Sequence, residues 1–115
     1  MTVDSLESMV RGIVNDAVPP YRWSAAKVRQ YLQLAMRRLN VKAPQTRYMA
    51  DGSIVDEVLV PQDDSDTEEA LPVADRYEEA LAYYAAHLCY LLDDPDTANS
   101  ELANTYLAKA ERLMT

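Results

Sequence analysis

Few side chains in this protein are suited to carry out a reaction, and the first to consider belong to one histidine and one cysteine. His87 and Cys89 are the single members of their types among 115 residues. They stand two positions apart in a segment with helical periodicity, so their side chains point to different faces and do not share a metal ion. One cysteine excludes an intramolecular disulfide and a multi-cysteine zinc site. We interpret Cys89 as a buried, apolar-type residue and His87 as a packing or surface residue. We predict a protein that is not an enzyme and has no metal or other cofactor.

Paired carboxylates are the second group with possible chemistry. Glu78 and Glu79 are adjacent, as are Asp93 and Asp94. Neighbouring residues on a helix point in different directions, so neither pair forms the facing carboxylates that general acid–base catalysis uses. Helix capping and solubility explain both pairs better than catalysis does.

Residues 62–70 form an acidic loop. Its carboxylates alternate as in a calcium-binding loop, and Asp75 stands at the twelfth position, but Glu69 occupies the place that requires glycine. A solvated loop is the commoner explanation of such a charge run. The carboxylates that we predict to face a partner or a channel are Asp63, Asp64, Asp66, Glu68 and Glu69.

Charge is divided unevenly along the chain, whose net charge is −8. Residues 1–50 contain eight basic and three acidic side chains, whereas residues 51–115 contain three basic and sixteen acidic ones. Such polarity indicates interaction, either with nucleic acid or between neighbouring copies of one subunit. The negative total opposes unspecific binding to nucleic acid or to an anionic membrane.

The helical periodicity of the chain predicts four helices. Apolar residues recur at three- and four-residue steps in four segments, and the third is apolar enough to be buried on more than one side. The first helix has capping-box spacing at Asp4 and Glu7 and ends before Pro19-Pro20, and the second begins after the N-cap residue Ser24. The predicted helices cover about residues 4–17, 24–40, 73–92 and 97–113 of a single domain.

The second helix has a basic flank beside its apolar stripe. A helix-turn-helix made of the first two helices would place this flank near a DNA groove, but the connection with Pro19-Pro20 is too long for that motif. Contact with an acidic neighbour is the other possibility. The basic candidates for an interface are Arg29, Arg37, Arg38, Lys42 and, after the helix, Arg47.

Residues 46–60 change from helical to strand-like composition. The Asp51-Gly52 turn between apolar pairs is a strong hairpin signal, and the run after it is rich in β-branched residues. We therefore predict a mainly α fold with a β-hairpin projecting between the second and third helices. Tyr48, Asp51, Gly52 and Ile54 are its candidate contacts with a neighbouring subunit or another partner.

No apolar run approaches the roughly 18–20 residues of a membrane span. The N-terminus has Asp4 and Glu7 and lacks the basic start and apolar stretch of a signal peptide. The sequence thus predicts a protein made in a reducing compartment, with no membrane partner.

The arrangement as a whole resembles the small head–tail connector (adaptor) proteins of tailed bacteriophages. After a short first helix, Tyr21-Arg22-Trp23-Ser24 opens a second helix that continues through Tyr31-Leu32-Gln33-Leu34-Ala35-Met36-Arg37-Arg38-Leu39. A loop or hairpin excursion precedes Leu71-Pro72 and Arg76-Tyr77-Glu78-Glu79-Ala80-Leu81-Ala82-Tyr83-Tyr84-Ala85-Ala86. A closing helix contains Tyr106-Leu107-Ala108. The resemblance covers nearly the whole chain and consists of packing patterns.

The resemblance implies a structural virion protein made in the host cytoplasm and located in the neck, at the head–tail junction. About a dozen copies would form a ring on the portal protein, extend the channel for the packaged genome and offer a platform to tail or neck proteins. DNA would pass through this channel without specific binding, helped by like-charge repulsion from acidic residues. The alternative is a small nucleic-acid-binding packaging or regulatory protein that uses the basic second helix.

Overall fold

The computed structural model describes residues 1–65, 67–93 and 97–114. Within them the fold is mainly helical, as predicted, and contains four α-helices and no β-strand. Short 3₁₀ turns follow the second helix, at Pro44–Arg47, and precede the third, at Asp75–Tyr77. The four helices are α1 (Val3–Ile13), α2 (Ala25–Lys42), α3 (Glu78–Asp93) and α4 (Thr97–Leu113).

Helix α1 begins earlier than predicted because a different capping box is used. The Thr2 hydroxyl accepts a hydrogen bond from the Ser5 backbone N–H, and the Ser5 hydroxyl accepts one from the Thr2 backbone N–H. These reciprocal bonds satisfy two of the unpaired donors of the first turn. The predicted box of Asp4 and Glu7 is therefore wrong.

Helix α1 also ends four residues earlier than predicted, before the prolines are reached. Asn15 adopts the left-handed conformation with φ +57°. The Asp16 N–H then donates to the Arg11 carbonyl at 2.8 Å and the Asn15 N–H to the Gly12 carbonyl at 3.4 Å. This is a Schellman motif, which asparagine tolerates because its short polar side chain permits a positive φ.

Helix α2 follows its sequence signals more closely. The Ser24 hydroxyl accepts from the Lys27 N–H at 3.2 Å, which confirms Ser24 as the N-cap. The whole predicted apolar stripe is buried. The helix continues to Lys42 rather than ending at Asn40. The Asn40 side chain is buried and bonds Thr46 and Val58, which lie outside the helix. The stripe consists of Val28, Tyr31, Leu32, Ala35, Met36 and Leu39.

Helix α3 is the central element, as predicted, and packs against α1, α2 and α4. It begins at Glu78 instead of near Pro72. Residues 72–74 are not helical, and the next three residues form the 3₁₀ turn Asp75–Tyr77. Cys89 is buried in α3, as predicted, and His87 is also buried, which selects packing over the surface position that the sequence left open. The His87 Nδ1 lies 2.9 Å from the Ala103 carbonyl of α4, so the imidazole joins the two helices.

The predicted β-hairpin is wrong as a pair of strands. One isolated antiparallel bridge joins Tyr48 and Ile54 around the Asp51-Gly52 turn. The β-branched run beyond it does not continue the pairing, because Val58 and Val60 turn into the helical core and are only 3% exposed. We call residues 47–56 the arm and residues 58–62 the inner segment.

Helix α4 completes the bundle against α3. Ala103, Ala110 and Met114 are buried in the interface, whereas Leu102 is 41% exposed. Asp96, which precedes the predicted start of this helix and is of a residue type that favours the N-cap, lies outside the described residues. Among the described residues, none of the helices has the length and apolar character needed to cross a membrane.

Candidate interaction surfaces

The inner segment is held by side chains of α2 instead of by a partner strand. The Gln33 amide nitrogen donates to the Val58 carbonyl at 3.0 Å, and the Gln33 amide oxygen accepts from the Val60 N–H at 2.6 Å. The Val58 N–H donates to Asn40 Oδ1 at 2.8 Å. Because these backbone groups are taken out of water, the amides replace the bonds that a strand would supply. Sequence reasoning missed both residues, although their seven-residue spacing places them on one face of α2.

Asn40 also connects the end of α2 to the start of the arm. Its amide nitrogen donates to the Thr46 hydroxyl at 2.7 Å, and that hydroxyl donates to the Ala43 carbonyl at 2.7 Å. Asn40 and Thr46 are both buried. This network fixes the direction in which the chain leaves α2 and thus where the arm starts.

Arg29, predicted at an interface, is buried within the chain. Its guanidinium bonds Glu7 of α1 at 2.9 Å and Asp64 of the acidic loop at 2.8 Å. It also donates to the Gln62 carbonyl. Burial alone would lower the pKa of Arg29, but the two carboxylates outweigh that effect and hold the pKa above its ordinary value. Arg29 therefore binds the acidic loop to the helices from inside.

Arg37 is the most exposed of the predicted basic candidates that form an ion pair. Its guanidinium pairs with Glu57, at the junction between the arm and the inner segment. The Arg37 side chain is 56% exposed, so the pair is at the surface and contributes little to stability. Arg37 also lines a surface groove of ≈ 450 Å³ together with Val41, Pro44 and Asp56.

Arg38 and Lys42 face a carboxylate of their own chain. Glu111 of α4 accepts from Arg38 at 2.8 Å and lies 3.1 Å from the Lys42 ammonium. Burial would raise the pKa of Glu111, but its bonds to Arg38 and Lys42 prevail and hold that pKa below the ordinary value. The basic flank of α2 is thus largely neutralised by acidic residues of α1, α4 and the segment after the arm.

The remaining predicted interface residues lie together in the arm. The Arg47 guanidinium donates to the Val55 carbonyl at 2.7 Å and closes its base. At the tip, Asp51 Oδ1 accepts from the Ser53 hydroxyl and N–H, which lowers the pKa of Asp51. Gly52 has φ +88°, a conformation that favours glycine. Tyr48 and Ile54, 59% and 58% exposed, form an apolar pair on the outside.

The acidic loop repeats the hydrogen bonding of the arm tip. Asp63 Oδ1 accepts from the Ser65 hydroxyl and N–H, and these bonds lower the pKa of Asp63. Asp64 points to Arg29, while Glu68 and Glu69 are exposed. Asp66 lies outside the described residues. The loop is therefore bound to its own chain at Asp64 and offers its other described carboxylates to solvent.

The α1–α2 loop, residues 14–24, is a second built surface that sequence reasoning missed. The Asp16 carboxylate is buried and accepts from Arg11 at 3.0 Å and from the backbone N–H groups of Arg22 and Trp23. Arg11 also donates to the Trp23 carbonyl at 2.9 Å. The loop contains a cis peptide bond between Pro19 and Pro20. The burial of Asp16 could not be predicted, because an aspartate in a loop is ordinarily exposed and no local pattern identifies its partners.

Apolar side chains remain exposed around this loop. Val18 is 78% and Tyr21 47% exposed, and the Arg11 guanidinium lies 3.9 Å from the Tyr21 ring centroid. Trp23 packs edge-on against Tyr90, whose hydroxyl reaches the Val14 carbonyl, so the end of α3 lies beside the loop. The next residues of α3, Leu91 and Leu92, are more than half exposed.

The arm, the acidic loop and the α1–α2 loop present charged and apolar side chains to solvent. Among the described residues, no group of three or more His, Cys, Asp or Glu side chains is placed to hold a metal ion. Comparisons with protein-family models, with curated proteins and with solved structures find no match for this chain. The features of the chain that bear on its function are therefore the sequence pattern, the arm and the α1–α2 loop.

Proposed function

We propose that this protein is a structural subunit of an oligomeric ring of the head–tail connector type. The ring would sit between portal and tail in a tailed bacteriophage, extend the DNA channel and present a platform for tail attachment. The sequence pattern that resembles these adaptors spans nearly the whole chain, and its helical segments overlap the four helices. Neighbouring copies, the portal protein and tail or neck proteins are its proposed partners.

The observation that carries the proposal is the ordered, exposed arm. A short turn with apolar side chains outside is marginal by itself in water. Here the base of the arm is held by Arg47 and by the Asn40–Thr46 network. The arm therefore has its conformation before a partner binds. Preorganisation of this kind lowers the entropy cost of association. It is suited to a protein whose work is to join others.

The ion pairs of α2 count against the alternative function in nucleic-acid binding. Arg29, Arg38 and Lys42 are directed to carboxylates of the same chain, which reduces the positive potential that a phosphate backbone would meet. These ion pairs also make charge reversal on α2, for example Arg38→Glu, unsuitable as a test of ring assembly. Glutamate at position 38 would stand beside Glu111 and loosen the packing of α2 on α4, so assembly and folding would fail together.

The test is native mass spectrometry of the protein mixed with the portal ring of the same phage. We expect the portal mass to increase by about a dozen copies of the 13.0 kDa chain. A gel-shift experiment with duplex DNA at several salt concentrations runs in parallel. No mass gain together with salt-dependent retardation of DNA would refute the connector proposal and favour the alternative.

A matched pair of variants links this measurement to the arm. Tyr48→Ser with Ile54→Ser removes the exposed apolar pair, while the control, Leu34→Ser with Leu102→Ser, removes two exposed apolar side chains of α2 and α4 that belong neither to the arm nor to the α1–α2 loop. We expect each double variant to keep the helical content of the parent, because all four positions are exposed. Unchanged loading of the arm variant would contradict the role given to the arm.

A further inference from the structure

The inner segment has the geometry of a β-strand that is bonded along one edge. The N–H and C=O groups of Val58, both groups of Val60 and the C=O of Gln62 are all bonded. Their partners are side chains of α2 or the Gln62 amide, which itself donates to a carbonyl of α2. All the bonded residues are two positions apart, so one edge of the segment faces α2.

Leu59 lies between these residues and points the opposite way. In an extended chain, successive residues alternate the face of their side chains and the edge of their backbone groups. Val58 and Val60 are 3% exposed and Leu59 is 71% exposed, which matches this alternation. Among the described residues, none bonds the N–H or C=O of Leu59 or the C=O of Pro61. These three groups form an outer edge that faces away from α2.

The solvent side of the segment is open beside Leu59. A groove of ≈ 420 Å³ lies there, lined by Leu59, Gln33, Arg37 and Pro61 among others. Extended peptides add to exposed edges of this kind, with affinity from backbone hydrogen bonds and specificity from the side chains beside them. The outer edge of the inner segment therefore has the features of a site for an added strand.

The charged groups around this edge are mostly acidic. Glu57 is paired with Arg37, and Asp64 shares Arg29 with a second carboxylate. The one cation of residues 47–65 is Arg47, which is partly buried at the base of the arm. An excess of negative charge therefore remains, from the exposed carboxylates of Asp51, Asp56 and Asp63.

The other cations of α2 do not reverse this sign. Arg38 and Lys42 are paired with Glu111 of α4. Lys27, in the first turn, has its ammonium over the Tyr31 ring. An occupant of the outer edge should therefore contribute positive charge.

Pairing of two copies through the outer edge is disfavoured. An antiparallel match of Leu59 with Leu59 of a second copy would bring the Asp56 and Asp63 carboxylates of the two copies together. Pro61 has no N–H, so each copy would also lack one bond of the ladder. Charged residues and proline are the usual means by which an exposed edge avoids pairing with itself. A basic strand from another protein meets opposite charge instead.

We infer that the outer edge of the inner segment binds an extended, basic segment of a partner protein by β-strand addition. The added strand would bond both backbone groups of Leu59 and the carbonyl of Pro61, and pack an apolar side chain beside Leu59. Its lysine or arginine residues would lie near Asp56 and Asp63. The inference goes beyond the proposed function and does not depend on it, because it specifies the segment recognised and not the protein that supplies it.

Titration of the protein with synthetic peptides, followed by NMR, tests the inference. The probe is a capped peptide of alternating valine and threonine with lysines at both ends, and the matched control has glutamates in their place. We expect only the lysine peptide to shift the Leu59 amide signal saturably and to slow its hydrogen exchange. The lysine peptide N-methylated at alternate amides should bind at least about tenfold more weakly, because it cannot complete the ladder.

Variants of the segment test the backbone bonds and the charges separately. Leu59→Pro removes the donor at an exposed position and should bind the lysine peptide about tenfold more weakly than Leu59→Ser, which keeps it. The N-methylated peptide tests the same bonds on the unchanged protein, so the conclusion does not depend on the folding of Leu59→Pro.

Asp56→Asn with Asp63→Asn should also weaken binding about tenfold, while an asparagine can still accept the bonds from Ser65. Glu79→Gln with Glu101→Gln makes the same change of charge at exposed positions of α3 and α4 and should leave the affinity within about twofold.

Four outcomes would overturn the inference. These are no binding of the lysine peptide, equal binding of the lysine and glutamate peptides, equal binding of the lysine peptide and its N-methylated form, and protection of the Leu59 amide in concentrated protein without peptide. The last would mean that a second copy occupies the edge. The titration contains no portal, so its failure leaves the connector proposal unaffected, and peptide binding without loading on the portal refutes the connector proposal alone.

Discussion

The arm and the inner segment come from one strand-like stretch of sequence and are held in opposite ways. The inner segment buries Val58 and Val60 and is bonded by side-chain amides of α2. The arm buries neither Tyr48 nor Ile54 and is held mainly by its own turn and by Arg47. A stretch of β-type composition needs hydrogen-bond partners for its backbone, and its position relative to α2 determines which groups supply them. For the inner segment they are the side chains of Gln33 and Asn40. The apolar side chains of the inner segment therefore stabilise the fold, whereas those of the arm remain exposed for contact with another molecule.

Removing the Gln33 amide should have the largest effect on this difference. Gln33→Ala leaves the Val58 carbonyl and the Val60 N–H without partners, and an unpaired buried polar group costs about 1–3 kcal/mol. We expect urea unfolding to show a loss of about 2–4 kcal/mol. Gln30→Ala, one turn away at an exposed position, is the control and should change stability by less than about 0.5 kcal/mol. Equal losses of stability in Gln33→Ala and Gln30→Ala would show that the bonds of Gln33 to the inner segment do not stabilise the fold.

Shortening one apolar side chain in each half sharpens the comparison. Val60→Ala deletes two buried methyl groups and should destabilise by about 2 kcal/mol, since each buried carbon contributes about 0.8 kcal/mol and a cavity remains. Ile54→Ala, at a position 58% exposed, should cost less than about 0.5 kcal/mol. Thermal or urea unfolding compares them. A large loss in Ile54→Ala would show that the arm packs on the core.

The two glycines provide a smaller test with opposite signs. Gly52→Ala forces a side chain into φ +88° and should destabilise by about 1 kcal/mol, although the added Cβ meets open space. Gly12→Ala, inside α1 and also with open space, should stabilise by up to about 1 kcal/mol through helix propensity. Urea unfolding of the pair measures both changes. The same sign in both would refute the backbone explanation.

Acidification should affect the arm and not the inner segment. The Ser53 hydroxyl and N–H lower the pKa of Asp51, so its contribution is complete above the unfolded pKa and is lost as pH falls through the folded one. We expect the Ser53 amide signal in NMR to shift with acid and the amide to lose protection relative to its intrinsic exchange rate at each pH. The Val58 amide, bonded to the uncharged Asn40, should stay unchanged apart from the intrinsic pH dependence of exchange. Parallel loss at both amides would contradict this.

The helices and the stripe of α2 could be predicted because their signals are local. Ser24 bonds a residue three positions away, and the buried residues of α2 recur with the period of the helix itself. The burial of Cys89 was predictable for the same reason, since it follows from its place on an apolar helix. The acidic and basic surplus of the two halves was also visible in the sequence.

The tertiary structure alone decided which polar groups meet. Arg38 and Glu111 are 73 positions apart, and Arg29 and Asp64 are 35 apart, so no local pattern identifies either pair. The strand signal of residues 46–60 was wrongly read as a hairpin, because Gln33 and Asn40 bond the inner segment in place of a second strand. Helical periodicity is a property of neighbouring residues, whereas the partner of a buried polar group depends on which distant segment the packing brings beside it.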